Sequence, residues 1–261
     1  MRSDTAAIAI SSLTHFHAAR SKESEPVNVF KNLDLALAKG RVLAILGPSG
    51  CGKSTLLRLF AGLERPASGE LAVFGEDPLP QTKAGEITLL TPHAPLLPWR
   101  SAIANVRLPL DLLGRPRALA MHKAEQLLRQ VCLQEERWDH RPHELSEGQL
   151  QRLRLAQAMI TEPRLLLLDE PFSNVDEGLR ATLLDLVTSY LLKDRQRSAA
   201  FVTHHAHEAA TIADDIIILA GEPATIRRPE PVAEAPADRS SDQIDLIAED
   251  LRTRLLALVS A

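Results

Sequence analysis

Only two cysteines, Cys51 and Cys132, occur in this chain of 261 residues. No disulfide framework is open to it, and a reducing compartment is expected. Long apolar runs are also missing. Nothing approaches the ~20 consecutive apolar residues that a membrane helix needs, and residues 1–10 lack a hydrophobic core of signal-peptide length. Any association with a membrane is therefore expected to come through a partner. Basic blocks are absent too. The formal charge is −4 and the pI near 6.1, so there is no electrostatic footprint for DNA or RNA and no nucleic-acid partner is expected. A hydrophobic content of 45% is enough to bury a sizeable core.

What the chain does have is a phosphate-binding pattern. Gly47-Pro48-Ser49-Gly50-Cys51-Gly52-Lys53-Ser54 is a full G-x-x-x-x-G-K-S loop, followed by Thr55. It lies between an apolar run at 42–46, of the kind a buried parallel strand shows, and a helical run at 54–61. That context argues against a glycine-rich turn that happens to precede a lysine. The glycines let backbone N–H groups converge on phosphate oxygens, and the helix N-terminus adds its partial positive charge. Lys53 is then placed for the β- and γ-phosphates and the Ser54 hydroxyl for Mg²⁺, so a nucleoside triphosphate is the expected ligand. Cys51 reads as a small tolerated side chain and not a redox switch.

Three further places carry chemistry. Leu165 to Leu168 read as a strand buried on both faces, with Asp169 and Glu170 emerging at its C-terminal edge, where α/β sheets place ligand chemistry. Asp169 is the expected Mg²⁺-side carboxylate and Glu170 the expected base for an attacking water. Leu145-Ser146-Glu147-Gly148-Gln149 precedes a helix running to about 160. Its helix start is an anion site in principle, although Ser146 taken alone is an ordinary N-cap. After a short apolar strand come His204, His205 and His207. No cysteine or acidic cluster closes a zinc set there, so one phosphate-sensing histidine beside two surface histidines is the better reading.

In order, these motifs resemble the nucleotide-binding subunit of ATP-binding-cassette (ABC) transporters over about residues 8–220. The resemblance implies an α/β fold: a P-loop NTPase (RecA-like) core with an N-terminal antiparallel β part, a helical subdomain at about 92–160, and a C-terminal tail helix. The ATP-binding domain would span 1–222, with a Pro-rich linker and helix at 223–261. ATP and Mg²⁺ are the implied cofactors. The resemblance makes Ser146, Gly148 and Gln149 the signature that meets the γ-phosphate bound by a second copy, so the sites would be completed in a dimer. Ser173-Asn174-Val175-Asp176 resembles the loop coupling the two sites, and His204 the γ-phosphate switch. The adenine-stacking aromatic falls at Phe16 or His17, with His17 the stricter alignment and a surface side chain the alternative. An integral-membrane permease, a second ABC subunit and a separate solute-binding protein are the implied partners, at the cytoplasmic face of the inner membrane.

Leu96-Leu97-Pro98-Trp99-Arg100, followed by Ala104-Asn105-Val106, resembles the segment after the glutamine loop in nitrate, sulfonate and taurine importers. Trp99 would receive a helix of the membrane subunit there, or fill an internal interface. The chain departs from the family beside it. The glutamine falls at Pro92, which offers no side-chain donor or acceptor, with Thr91 and His93 as the available substitutes. His205 replaces the usual aspartate, and Gln157 a common arginine. The expected function is an ATP-hydrolysing importer subunit; the alternative is a regulatory or heterodimeric cassette with impaired hydrolysis.

Elsewhere, residues 8–16 and 27–37 read as strands joined by a polar loop at 18–26. Ala120, Ala124, Leu127, Leu128 and Val131 share one helix face, and Cys132 is predicted in the same helix. A Pro-rich linker is predicted at 227–238. Ile244, Ile247, Leu251, Leu255 and Leu258 mark a last helix packed on the core, with Ser241 and Asp242 as caps.

Overall fold

The computed structural model describes residues 6–17, 27–173, 175–192, 197–227 and 235–259. The polar loop predicted at 18–26, Asn174 and most of the Pro-rich linker lie outside these. Two sheets organise the chain. The smaller is antiparallel, in the order β2 (Val27–Ala38), β1 (Ala6–His17), β4 (Ser68–Val73). Along β2, Leu33, Leu35 and Leu37 are buried and alternate with exposed Asp34, Ala36 and Ala38, the pattern of a sheet with one wet face.

The larger sheet has the order β5 (Ile87–Leu90), β6 (Leu165–Asp169), β7 (Ser198–Val202), β3 (Val42–Leu46), β8 (Asp215–Ala220), β9 (Thr225–Arg227). It is parallel except for β9. Every residue of β3, β6 and β7 is buried, as continuous apolar runs in a parallel sheet require. Successive side chains of these strands enter opposite cores. Ala44, Leu46, Leu166 and Leu168 face one, whereas Leu43, Ile45, Leu165 and Leu167 face the other.

Helix α1 (Lys53–Phe60) fills the second core with Leu56, Leu57, Leu59 and Phe60, under the small sheet. Truncating Phe60 to alanine would cost about 3–5 kcal/mol at such a site. Helix α2 (Pro78–Lys83) is capped by Asp77, whose Oδ1 accepts from Leu79 N–H at 2.9 Å. The other core takes α3 (Ala102–Leu112), α4 (Arg117–Gln130), α5 (Glu147–Met159), α6 (Glu177–Leu192), α7 (Ala206–Ile212) and α8 (Ser241–Val259).

Ala120, Ala124 and Leu128 form the buried stripe of α4 as their spacing predicts. Cys132, predicted within that helix, instead lies past its end at φ 56°, where the chain turns back. The cap of α8 is likewise one residue earlier than predicted. Ser240 and Gln243 exchange side-chain and backbone hydrogen bonds, which leaves Ser241 and Asp242 in the first turn. Ala248 and Leu251 bury fully, and α8 packs against α7, fastened at its entry by Arg239 Nη1 donating to the Ala210 carbonyl at 2.7 Å.

Candidate nucleotide site

The C-terminal ends of β3, β6, β7 and β8 converge, and the site is built on them. Between β3 and α1 the chain passes so close to β8 that a Cβ on Gly47 would sit 2.2 Å from the Leu219 carbonyl oxygen. Only glycine fits. Gly52 serves as the N-cap of α1 at φ 97° and, lacking a side chain, gives the first N–H groups of the helix no side-chain cap. Such a terminus attracts anions. The Lys53 ammonium donates to the carbonyls of Gly47 at 2.9 Å and Pro48 at 2.7 Å, which folds the loop around it. Cys51 is packed into the same loop, and burial pushes its thiol up from the ordinary value of 9.0 against the pull of Lys53. The thiolate is disfavoured, in keeping with a small packed side chain.

Asp169, at the end of β6, is buried and hydrogen-bonded to the Ser54 side chain. Burial raises its carboxyl above the ordinary value of 3.8; Ser54 and Lys53 oppose that rise, while neighbouring Glu170 adds to it. Glu170 takes a left-handed conformation at φ 50°, a strained state for a residue with a side chain. The turn is held from both sides. Glu170 N–H donates to the Val202 carbonyl at 3.0 Å, and the Glu170 carbonyl accepts from the Ser173 hydroxyl at 3.0 Å. The result aims the carboxylate at His204, with Nε2 to Oε1 at 2.7 Å.

His204 owes its place to the turn between β7 and α7. The Thr203 hydroxyl donates to the Glu208 carboxylate and accepts from His205 N–H at 3.0 Å. Glu208 is only 4% exposed, and burial pushes its carboxyl up from the ordinary value of 4.5. Sequence reasoning did not single out Thr203 or Glu208. The two stand five residues apart, outside the three-residue spacing of a capping box, so no local signal pointed to the pair. The histidines at 204, 205 and 207 form no group with metal-ligand spacing among the described residues.

A cavity of about 380 Å³ collects His17, Ser49 to Thr55, Glu170 and His204. The His17 ring nitrogen Nε2 meets the Thr55 hydroxyl at 3.2 Å. Gly47, Pro48 and Asp169 do not line the cavity and reach it through Lys53 and Ser54. Asn28, Val29, Gly221 and Glu222 do line it and were missed. Gly221 follows the apolar strand β8 as Gly47 follows β3, and that parallel was legible.

Ser146, Gly148 and Gln149 are absent from the cavity. In this chain Ser146 is the N-cap of α5: its hydroxyl accepts from Gln149 N–H at 3.3 Å, and Gln149 Oε1 accepts from Ser146 N–H at 2.9 Å. The loop bearing Trp99 is also set by one buried residue. Asn105 accepts from Leu97 N–H at 2.7 Å and donates to the carbonyls of Leu97, Arg100 and Ser101. Gln157 in turn donates to the Asn105 carbonyl at 2.8 Å. Trp99 is 68% exposed, so the reading in which it fills an internal interface is corrected. A buried polar clamp holds the loop and leaves the indole outside.

A family model described as ABC transporter matches residues 30–173. The chain belongs to the ABC transporter family. It is 38% identical to the taurine import ATP-binding protein TauB of Pseudomonas aeruginosa, over 85% of this chain and 83% of that protein. It is also 38% identical to the aliphatic sulfonates import ATP-binding protein SsuB 1 of Xanthomonas axonopodis, over 88% of this chain and 89% of that protein. A solved dimeric ATP-binding cassette, in a post-hydrolysis state with ADP and Pi, superposes with a TM-score of 0.79 at 26% identity, covering 87% of this chain and 99% of that one. This ABC cassette therefore binds and hydrolyses ATP on a P-loop α/β fold. No helix among its described residues is long and apolar enough to cross a membrane.

Proposed function

We propose that this cassette energises solute import, with taurine- or sulfonate-class solutes as the cargo of its membrane partner. The observation that carries the catalytic part is the pairing of Glu170 with His204 on the wall of the phosphate-loop cavity. In this reading Lys53 and the loop amides hold the β- and γ-phosphates, and His17 borders the adenine. Glu170 takes a proton from the attacking water, and His204 marks the γ-phosphate. A hydroxyl and a carboxylate oxygen, from Ser54 and Asp169, suit a hard cation, and Mg²⁺ held there would neutralise phosphate charge. Ser146, Gly148 and Gln149 lie away from their own chain's cavity, which supports a role against the nucleotide of a second copy.

Residues 1–222 form the ATP-binding unit in this proposal, with 92–160 as its helical part and 223–261 as an appended linker and helix. Exposed Trp99, on its Asn105-clamped loop, is the contact for an integral-membrane permease at the cytoplasmic face of the inner membrane. A separate solute-binding protein would supply cargo from the other side. The test pairs two measurements. Lys53→Ala should weaken binding of a fluorescent ATP analogue by about tenfold or more, since a charge-assisted contact is worth ~1.5–3 kcal/mol. Affinity purification of the full chain from its own membranes should recover a polytopic protein, and Trp99→Ala should lose it. Unchanged nucleotide affinity contradicts the site, and recovery independent of Trp99 contradicts the docking surface.

A further inference from the structure

A second cluster of ligating side chains stands beside the nucleotide cavity, and the functional reading leaves it unused. His15 and His17 on β1 and Glu64 after α1 each bring one ligand atom within 4.8 Å of the other two. The two imidazoles meet edge to face, with centroids 5.7 Å apart and planes at 85°. His15 is 7% exposed, an unusual burial for a residue with two polar ring atoms.

One hydrogen bond orients the His15 ring. Its Nδ1 lies 3.1 Å from the Arg65 carbonyl, which can only accept, so Nδ1 donates there. The other ring nitrogen, Nε2, lies 2.9 Å from Glu64 Oε2, yet this buried atom makes no hydrogen bond. A ring that donates one nitrogen to a backbone carbonyl and turns the other, unpartnered, toward a carboxylate has the orientation of a metal-bound histidine. Arg58 approaches the other Glu64 oxygen, Oε1, at 3.5 Å, so Oε2 is the oxygen on the His15 side.

The geometry points to a divalent transition-metal site formed by His15, His17 and Glu64, with Zn²⁺ as the fitting ion. Two imidazole nitrogens and one carboxylate oxygen are a borderline donor set that suits zinc and not magnesium. Tetrahedral ligand atoms about 2.0–2.1 Å from zinc stand roughly 3.3 Å apart. His15 and Glu64 are already that close. Exposed His17 and half-buried Glu64 have the freedom to close the remaining gap, and water takes the fourth position. Because His17 also touches Thr55 and borders the nucleotide cavity, the bound ion would tie β1, at the edge of that cavity, to the segment after α1. The inference does not depend on which solute is carried or on hydrolysis.

Titrating the full, nucleotide-free and Mg²⁺-free chain with ZnCl₂ by calorimetry, and with CoCl₂ by visible absorption, tests it. One equivalent should bind per chain, with the d–d bands of a tetrahedral Co²⁺ site that Zn²⁺ bleaches. His17→Ala and Glu64→Gln, at accessible positions that fold independently of buried His15, should each weaken binding by at least about 10–100-fold, the range known for outer-shell partners alone. His204→Ala should retain it. Absence of saturable binding would overturn the site and leave His15 as an ion-pair partner of Glu64. Loss in His204→Ala with retention in the other two variants would equally overturn it.

Discussion

Nε2 of His204 stands 2.7 Å from Oε1 of Glu170, although the two residues come from different strands. Their meeting follows from sheet register. Asp169 pairs with Val202 across the parallel β6 and β7 strands, so Glu170 leaves one strand where the Thr203–His204 turn leaves the next. Strain at Glu170 and the Thr203–Glu208 bond then aim the two side chains at each other.

His204→Ala should therefore act on turnover more than on binding. Loss of one polar contact to the transferring phosphoryl group is expected to lower kcat by about 10²-fold, the scale of removing a single charge-stabilising donor. KM for ATP should move little, because the contact is made mainly in the transition state. Steady-state phosphate release separates the two quantities. A KM increase at unchanged kcat would assign His204 to ground-state binding.

Glu208 gives a prediction about pH. Burial raises its folded carboxyl above 4.5, so the folded protein holds the proton more tightly than the unfolded chain does. Its stabilising contribution is full below that ordinary value and is lost as pH rises through the raised one. Glu208→Gln keeps an acceptor for Thr203 and removes the titration. The variant's melting temperature should gain on the wild type as pH is raised from about 4 toward 8. Paired thermal melts across that range check it; a constant difference would show that Glu208 is not linked to folding.

Most of the site was legible because its signals are local. The G-x-x-x-x-G-K-S loop needs only flanking apolar and helical runs, and the leucine strand ending in Asp169-Glu170 announces its own chemistry. Strands β3 and β6 follow the same logic. What escaped was non-local. Nothing near Asn105 says that its side chain will bind three carbonyls of the Trp99 loop, and nothing near Val29 or Glu222 says that they border a phosphate loop. The caps of α8 and the end of α4 were misplaced by one or two residues, since serine pairs and αL turns shift easily along the chain.

Pro92 follows β5 in the loop where the family carries a glutamine, and no proline side chain can orient water. Pro92→Gln should raise kcat by at least about tenfold, toward the ~10²–10⁴-fold scale of a positioned proton-transfer group, and leave ATP affinity unchanged. Arg154 ties this loop to α5 by donating to the Ala94 carbonyl at 3.2 Å, and the assay belongs both with and without the membrane partner proposed to dock beside it. An unchanged rate in both settings would mean that Thr91 or His93 already does the work.

Glu170→Gln tests most directly whether Glu170 is the base of a site completed by a second copy. Size-exclusion chromatography with light scattering, on wild type and variant with and without MgATP, reads mass and hydrolysis from the same samples. Hydrolysis should fall by about 10²–10⁴-fold in the variant, and a species of twice the chain mass should appear only for the variant with MgATP. A variant that hydrolyses at the wild-type rate, or that stays monomeric with ATP bound, would contradict that role.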